Sequence, residues 1–310
     1  MHALVYTRPG LVENLDVEEP IQPGPDEVLI QVAAVGICGS ETHGIASPGF
    51  RQPPLVMGHE FAGTLPDGTR VVVNPVIPCR TCVVCRTGQE QLCPQRVIIG
   101  IHRAGAFAER VVVPRSQVHP IPDRLGWTAA ALVEPVANGL HAWDLAGRPV
   151  DARVGVIGAG PIGLAVLMAA RADGVRVTIA DLAPERLAIA AREGALTVER
   201  LEGEFDVIID AVGAPPTRRA SVELLRPGGT AIWLGLAGPD PAFDAMALIR
   251  QGKTVRGSFC YPDATFARAI EVVADAQPQW ADTFALTEGA EIFMRLVEGD
   301  TTVMKAVLEP

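Results

Sequence analysis

Four cysteines between residues 79 and 93 constrain this chain more than any other stretch. They stand in Pro78-Cys79-Arg80-Thr81-Cys82-Val83-Val84-Cys85, closed by Cys93, in the pattern C-x2-C-x2-C-x7-C. Two-residue spacers let a tight loop turn its thiolates inward, and the longer spacer brings the fourth one round. A tetrahedral zinc ion takes four such ligands at about 2.3 Å. With every position filled the site has no opening for a substrate, so the expected role is structural. Two disulfides are the competing reading. Met1-His2-Ala3-Leu4-Val5-Tyr6 carries neither the basic n-region nor the long apolar core of a signal peptide. The expected compartment is therefore the cytoplasm, where disulfides are rare. That favours zinc, in a lobe spanning residues 78–94.

A chain of 310 residues suggests about two domains, and a hydrophobic content of 48% is ample for their cores. No run approaches the ~20 uninterrupted apolar residues of a membrane span. The formal charge of −10 argues against nucleic acid or an anionic membrane as partner. A small molecule is the expected partner.

Residues 1 to 120 read as β-rich. Ala3–Thr7, Glu27–Val35, Arg70–Val73 and Phe107–Val113 are short runs heavy in Val and Ile, bounded by Pro, Gly and Asp. Pro66-Asp67-Gly68-Thr69 reads as a tight turn. Two loops hold candidate metal ligands: Gly36-Ile37-Cys38-Gly39-Ser40-Glu41-Thr42-His43 and Gly58-His59-Glu60. Glu134-Pro135 supplies a third candidate. One thiolate, one imidazole and one carboxylate from separated segments would hold a zinc ion with its fourth position open, which is the layout of a catalytic site. Taken singly, Cys38 reads equally as a buried small hydrophobe. His59 reads as a core histidine and Glu134 as a helix-end carboxylate.

The second half changes character. Arg153 to Gly163 is an apolar strand running into G-x-G-x-x-G, followed by a helical stretch, Leu164 to Ala172. A second strand, Val175–Ala180, ends on Asp181. A glycine fingerprint alone is weak, but here strand, helix and acidic residue stand where a dinucleotide-binding βαβ unit needs them. Gly158 permits the sharp turn, Gly160 lets the backbone approach a pyrophosphate at the helix N-terminus, and Gly163 allows close packing of helix on strand. Asp181 can accept hydrogen bonds from both adenosine ribose hydroxyls. A 2′-phosphate would meet its negative charge, so NAD is favoured over NADP. A plain turn residue is the alternative reading of Asp181.

Further strands at Phe205–Val212, Thr230–Leu236 and Thr254–Phe259, with helices at Thr217–Leu225 and Ala242–Arg250, predict a parallel doubly wound sheet. Between Leu196–Val198 and Phe205 the chain is too short for the usual crossover of a dozen or more residues. The crossover helix is expected to be missing and the third strand rudimentary. Helices at Ala264–Ala276 and Ala290–Glu298 lead to a last strand, Val303–Leu308, able to return to the first domain's sheet.

Together these residues resemble the zinc-dependent medium-chain alcohol dehydrogenase family over essentially the whole chain. The likeness rests on G-x-C-G-[ST] at Gly36–Ser40, on Gly58-His59-Glu60, on the four-cysteine lobe, on Gly105-Ala106-Phe107-Ala108-Glu109, and on the dinucleotide fingerprint, all in family order. The resemblance implies an α/β fold with a GroES-like catalytic domain, residues 1–135 and 260–310, and a Rossmann domain, residues 136–259. It implies two zinc ions per chain and hydride exchange between an alcohol and NAD. Cys38, His59 and Glu134 match the catalytic-zinc ligands. The Glu form looks like the polyol, sugar and threonine dehydrogenase branch. Glu60 matches a carboxylate that sits beside the ligand histidine and can exchange onto the metal. Ser40 matches the hydroxyl that relays the substrate proton, and His43 sits where several members have a relay imidazole. Cofactor contacts are implied at Gly158, Gly160, Pro161, Ile162, Gly163 and Asp181. Others are implied at Arg186, Val212, Gly213, Leu234 and Gly235. A homodimer or homotetramer is implied, pairing through the strand near Gly257.

The chain departs from the family pattern in three places. Glu41 stands where Asp is usual, and is expected to loosen the loop's anchoring hydrogen bonds. The hairpin Phe61–Val71 is short, and the link Arg200–Glu204 is trimmed. Phe50, Trp127 and Phe259 are candidates to line the substrate pocket, each equally able to be core. Two other functions compete: a zinc-independent quinone or enone reductase on the same fold, and a non-catalytic zinc and nucleotide-binding protein.

Overall fold

In the strand Glu27–Gly36 buried and less buried residues alternate, then run into a continuously buried end. It organises a seven-stranded sheet in the computed structural model, which describes residues 1–20, 22–46, 51–238 and 243–310. Phe50 and Ala242 lie outside the described residues.

The chain divides into two units, Met1–Glu134 with Pro262–Pro310, and Pro135–Tyr261. In the first, strands Val118–Pro120, Arg70–Val73, Glu60–Thr64, Glu27–Gly36, Ala306–Glu309 and Asp282–Ala285 lie side by side, with Arg110–Pro114 also on Glu27–Gly36. The pairs are antiparallel except Asp282–Ala285 with Ala306–Glu309. The C-terminal strand thus does return to the first sheet, pairing Val307 with Gly36 and Leu308 with Val35. His2–Arg8, Leu11–Asp16 and Leu55–Val56 form a second small sheet. The core between them holds Leu4, Tyr6, Ile30, Met57, Phe61, Phe107 and Phe293. The tight turn falls as expected: Gly68 takes φ +86°, and its N–H donates to Leu65 O over 2.9 Å.

The second unit is a six-stranded parallel sheet in the order Leu196–Val198, Val177–Ala180, Val154–Ile157, Phe205–Asp210, Leu225–Trp233, Thr254–Gly257. That is the doubly wound 3-2-1-4-5-6 order of dinucleotide-binding folds. The helix Pro161–Ala172 opens with Pro at its first position, where a missing N–H costs nothing, and every residue from Gly163 to Ala170 is buried. An all-apolar helix of this kind belongs inside a layered fold.

No helix forms between Ala195 and Asp206, and the third strand has three residues. The link 199–204 crosses the sheet face directly, with Leu201 seated against Gly155. It leaves a hollow of about 520 Å³ lined by Arg153, Thr178, Val198, Glu199, Arg200, Glu202 and Phe205. No helix among the described residues is long and apolar enough to cross a membrane.

Candidate active site

The short helix Gly39–Gly44 begins on Cys38, whose extended backbone makes it the cap. Its sulfur accepts the Ser40 N–H at 3.4 Å, and Glu41 reaches back to accept the Cys38 N–H at 3.0 Å through Oε2. This is a capping box with a thiol in place of the usual hydroxyl. The other carboxylate oxygen of Glu41 accepts the Gly58 N–H at 2.9 Å and lies 3.1 Å from His59 Nδ1. Glu41 is fully buried. The expectation that Glu41 loosens this loop is therefore wrong. Its longer side chain reaches three partners on both ligand loops and ties them together.

Cys38 Sγ, a ring nitrogen of His59 and a carboxylate oxygen of Glu60 all lie within 4.8 Å of one another. With Nδ1 turned to Glu41, the Nε2 face of His59 is left for a metal, in the carboxylate–histidine–metal order that fixes a ligand imidazole. Burial opposes charge on the His59 ring, but the Glu41 carboxylate and the Cys38 sulfur outweigh it and hold its pKa well above the ordinary histidine value. A buried ring held this strongly by two anionic neighbours is a site that favours a cation. Gly58 makes the approach possible. Its φ is +93°, and a Cβ there would come within 2.7 Å of Phe107.

Glu60 is buried, and its Oε2 forms an ion pair with Lys305, one residue before the C-terminal strand. The Lys305 ammonium also donates to Ile37 O at 2.8 Å. Burial works against the Lys305 charge, but Glu60, Cys38 and Glu134 together raise its pKa. Gly36 is needed beneath this pair, because a Cβ would sit 2.4 Å from Glu60 Oε2. Glu134 lies buried in the first turn of the helix Val133–Leu145. Its charge reaches Lys305, but its carboxylate is outside the Cys38–His59–Glu60 triplet.

Ser40 Oγ is 3.3 Å from Cys38 Sγ and also faces Arg51, whose Nη2 donates to it over 3.4 Å. His43 lies exposed in the last turn of the same short helix. Trp127 packs beside Ala34, Ala131 and Val307 with the Arg70 guanidinium 4.0 Å over its ring, a core arrangement. Phe259 is 37% exposed.

In the four-cysteine lobe the sulfurs stand 3.5 Å apart for Cys82 and Cys85, and 3.9 Å for Cys79 and Cys85 and for Cys82 and Cys93. A zinc–sulfur bond of about 2.3 Å gives a tetrahedron with edges of about 3.8 Å. All four thiols are free, so the disulfide reading fails. Backbone N–H groups of Cys82, Cys85 and Cys79 donate to Cys79, Cys82 and Cys93 sulfurs at 3.4–3.5 Å. The Thr81 hydroxyl, with backbone donors, lowers the Cys79 pKa to about 6, whereas desolvation and neighbouring thiols push Cys85 up to about 12. Four thiolates this close need a cation to ionise together.

In the parallel sheet, Gly158 takes φ +100°, and a Cβ on Gly163 would fall 1.9 Å from Gly158 O. A Cβ on Gly160 would meet nothing within 4 Å, which leaves the helix N-terminus open beside Pro161 and Ile162. The residues therefore fit a pyrophosphate at that point. Asp181 accepts N–H groups from Ala159 at 2.7 Å and Ala183 at 2.9 Å. Arg186 lies on the next helix with its Nε buried.

Sequence reasoning missed Asp210, which organises the two loops where further cofactor contacts were expected. Its carboxylate accepts from Val212, Gly213 and Thr217, and its carbonyl from Leu234 and Gly235. Burial raises its pKa against those donors. It also missed Lys305, although a signal existed: the chain has only two lysines, Lys253 and Lys305, and both are buried.

Residues 24–123 match the family model for the alcohol dehydrogenase GroES-like domain, and residues 161–275 that for zinc-binding dehydrogenase. The L-galactonate-5-dehydrogenase of Escherichia coli strain K12 is 31% identical over 340 aligned positions, covering 99% of this chain and 98% of the relative. A zinc-binding dehydrogenase from Sinorhizobium meliloti 1021, bound to NADP, superposes with a TM-score of 0.90 at 30% identity, over 100% of this chain and 99% of that one. Galactitol-1-phosphate dehydrogenase from Escherichia coli gives a TM-score of 0.92 at 27% identity over 100% of both chains. This chain belongs to the zinc-dependent medium-chain dehydrogenase family, in its polyol dehydrogenase branch. It is an oxidoreductase of alcohols, with a GroES-like domain and a Rossmann domain.

Proposed function

We propose that this enzyme oxidises a polyol, sugar or amino alcohol with NAD. The observation that carries the reading is the Cys38–His59–Glu60 triplet backed by Glu41. The unit Met1–Glu134 with Pro262–Pro310 carries the catalytic and structural metal centres, and Pro135–Tyr261 binds the dinucleotide. When bound, zinc supplies Lewis acidity toward the alcohol oxygen and NAD accepts the hydride.

The remaining steps belong to the chain. Glu41 holds His59 in one tautomer and orientation. Glu60 is the near carboxylate, steadied by Lys305, and Glu134 adds negative charge at longer range. Ser40 Oγ would relay the substrate hydroxyl proton, accepting it as it gives up its own, and exposed His43 would pass a proton on toward solvent. The open backbone at Gly158, Gly160 and Gly163, with Pro161 and Ile162, receives the pyrophosphate. Asp181 reads the adenosine ribose, and its negative charge favours NAD over NADP. Arg186 and the loops at Val212–Gly213 and Leu234–Gly235 line the rest of the dinucleotide site.

A homodimer or homotetramer is part of the proposal. Its support is that Thr254–Gly257 is an edge strand whose outer side pairs with no other strand among the described residues. A cytoplasmic location is supported by six free thiols, which a reducing compartment preserves. The deciding experiment incubates zinc-loaded enzyme with polyols, aldonates, amino alcohols and simple alcohols, each with NAD and with NADP, and follows reduced cofactor by absorbance. Activity confined to simple alcohols, or absent with every alcohol, overturns the reading.

A further inference from the structure

Among the described residues four cationic side chains are at least nine-tenths buried: Arg51, Arg218, Lys253 and Lys305. Three donate to two or more residues, lie over a ring or meet a carboxylate. Lys305 meets the Glu60 carboxylate. Lys253 donates to Val222 O and Glu223 O, at the negative end of the helix Pro215–Glu223. Arg218 donates to Gly235 O and Gly238 O and lies over the Trp233 ring.

Arg51 differs. It is 5% exposed, and among the described residues its hydrogen bonds go to one residue, Ser40, at the carbonyl oxygen over 3.1 Å and at Oγ over 3.4 Å. The buried Glu41 carboxylate feels its charge, but no carboxylate among the described residues forms an ion pair with it, and its Nε is buried without an acceptor. A buried guanidinium left this way is costly, and it is stabilised by an anion that completes its fork. Ser40 Oγ stands between Arg51 and Cys38 Sγ, so the guanidinium is two hydrogen-bond lengths from the metal triplet. A short polyol chain covers that distance.

We propose that Arg51 is a substrate-specificity residue that binds an acidic end group, a carboxylate or phosphate, on a polyol whose carbinol is oxidised at the Cys38–His59–Glu60 site. The inference rests on the dehydrogenase reading above and narrows its substrate class. A planar guanidinium suits either anion, because both accept two parallel N–H groups. The same guanidinium donates to Ser40 Oγ, so one residue holds the relay hydroxyl and the far end of the substrate.

The test uses the zinc-loaded full chain with NAD and four matched compounds: gluconate, gluconamide, glucitol and glucitol 6-phosphate. Wild type should prefer gluconate or glucitol 6-phosphate to both neutral compounds by at least about tenfold in kcat/KM. The two anions, compared with each other, separate the carboxylate from the phosphate source. Arg51→Gln should lower the anion-to-neutral ratio about 100-fold. An equal loss on all four compounds would reduce Arg51 to positioning Ser40 and overturn the proposal, as would a wild type that prefers neither gluconate to gluconamide nor glucitol 6-phosphate to glucitol. That last comparison needs no variant and stands even if Arg51→Gln does not fold. Calorimetric binding of gluconate and glucitol 6-phosphate, read without turnover, separates the two readings. Binding of either anion that Arg51→Gln abolishes sustains the anion site even if no alcohol is oxidised; absence of binding by both anions and turnover of glucitol alone sinks the anion site and leaves the dehydrogenase standing.

Discussion

Glu41 Oε1 lies 3.1 Å from His59 Nδ1, joining a carboxylate three residues past one candidate metal ligand to the imidazole of another. Because Glu41 also accepts the Cys38 and Gly58 N–H groups, one side chain sets both ligand loops. Three hydrogen bonds converge on a carboxylate with no solvent contact, and its pKa is lowered: burial opposes ionisation, but the His59 charge outweighs it.

Glu41→Gln keeps the volume and removes the charge. Affinity for the catalytic zinc should fall about 10–100-fold, the usual cost of losing such a partner. Competition with a zinc chelator measures it. The four-cysteine zinc should be unaffected, so the loss is confined to one ion per chain.

The two centres should separate by mutation. Cys38→Ser should abolish turnover and release one zinc while NADH binding persists. Cys82→Ser should release the other and lower the melting temperature, because the lobe's thiolates lose the cation that holds them together. Zinc per chain, NADH fluorescence and a thermal melt resolve the two outcomes.

Asp181→Asn should raise the KM for NAD and raise the NADP-to-NAD ratio of kcat/KM at least about tenfold, since about 1.4 kcal/mol of lost repulsion is enough. The neutral amide still accepts one of the two N–H groups that Asp181 holds, from Ala159 and Ala183, so the fold should survive. An unchanged ratio would make Asp181 a turn residue.

Asp263 gives a pH dependence. The His119 ring at 3.0 Å lowers its pKa most, burial opposes this, and Asn74 at 2.9 Å adds to the lowering. A depressed carboxylate contributes its full stability above the unfolded value of about 3.9 and loses it as pH falls through the folded value. Asp263→Asn should therefore be less stable than wild type at neutral pH, by no more than ~1 kcal/mol given its partial exposure. The gap should narrow below about pH 4. Urea midpoints across pH report it.

What could be read from residue order follows from range. Cys38, His59 and Glu60 sit in short local patterns, and the parallel sheet announces itself through alternating Val-rich strands and Ala-rich helices. Even the missing crossover helix was legible, because chain length is a local quantity. Glu41 was misjudged although the spacing from Cys38 is that of a capping box. Lys305 reaches Ile37 across 268 positions, and no pattern near either residue foretells it. The strand Asp282–Ala285 was missed because its residues are mostly exposed and lack alternation; only its parallel partner, Ala306–Glu309, makes it a strand.

The short link 199–204 also has a bearing on breathing motions. Leu196 is 58% exposed on a three-residue edge strand whose two end residues are both exposed, so few apolar contacts resist its detachment. Amide protons at Leu196–Val198 should exchange with deuterium long before those of Val154–Ile157 at the sheet's centre. The adenosine side of this enzyme would then loosen first on warming, while both metal centres remain intact.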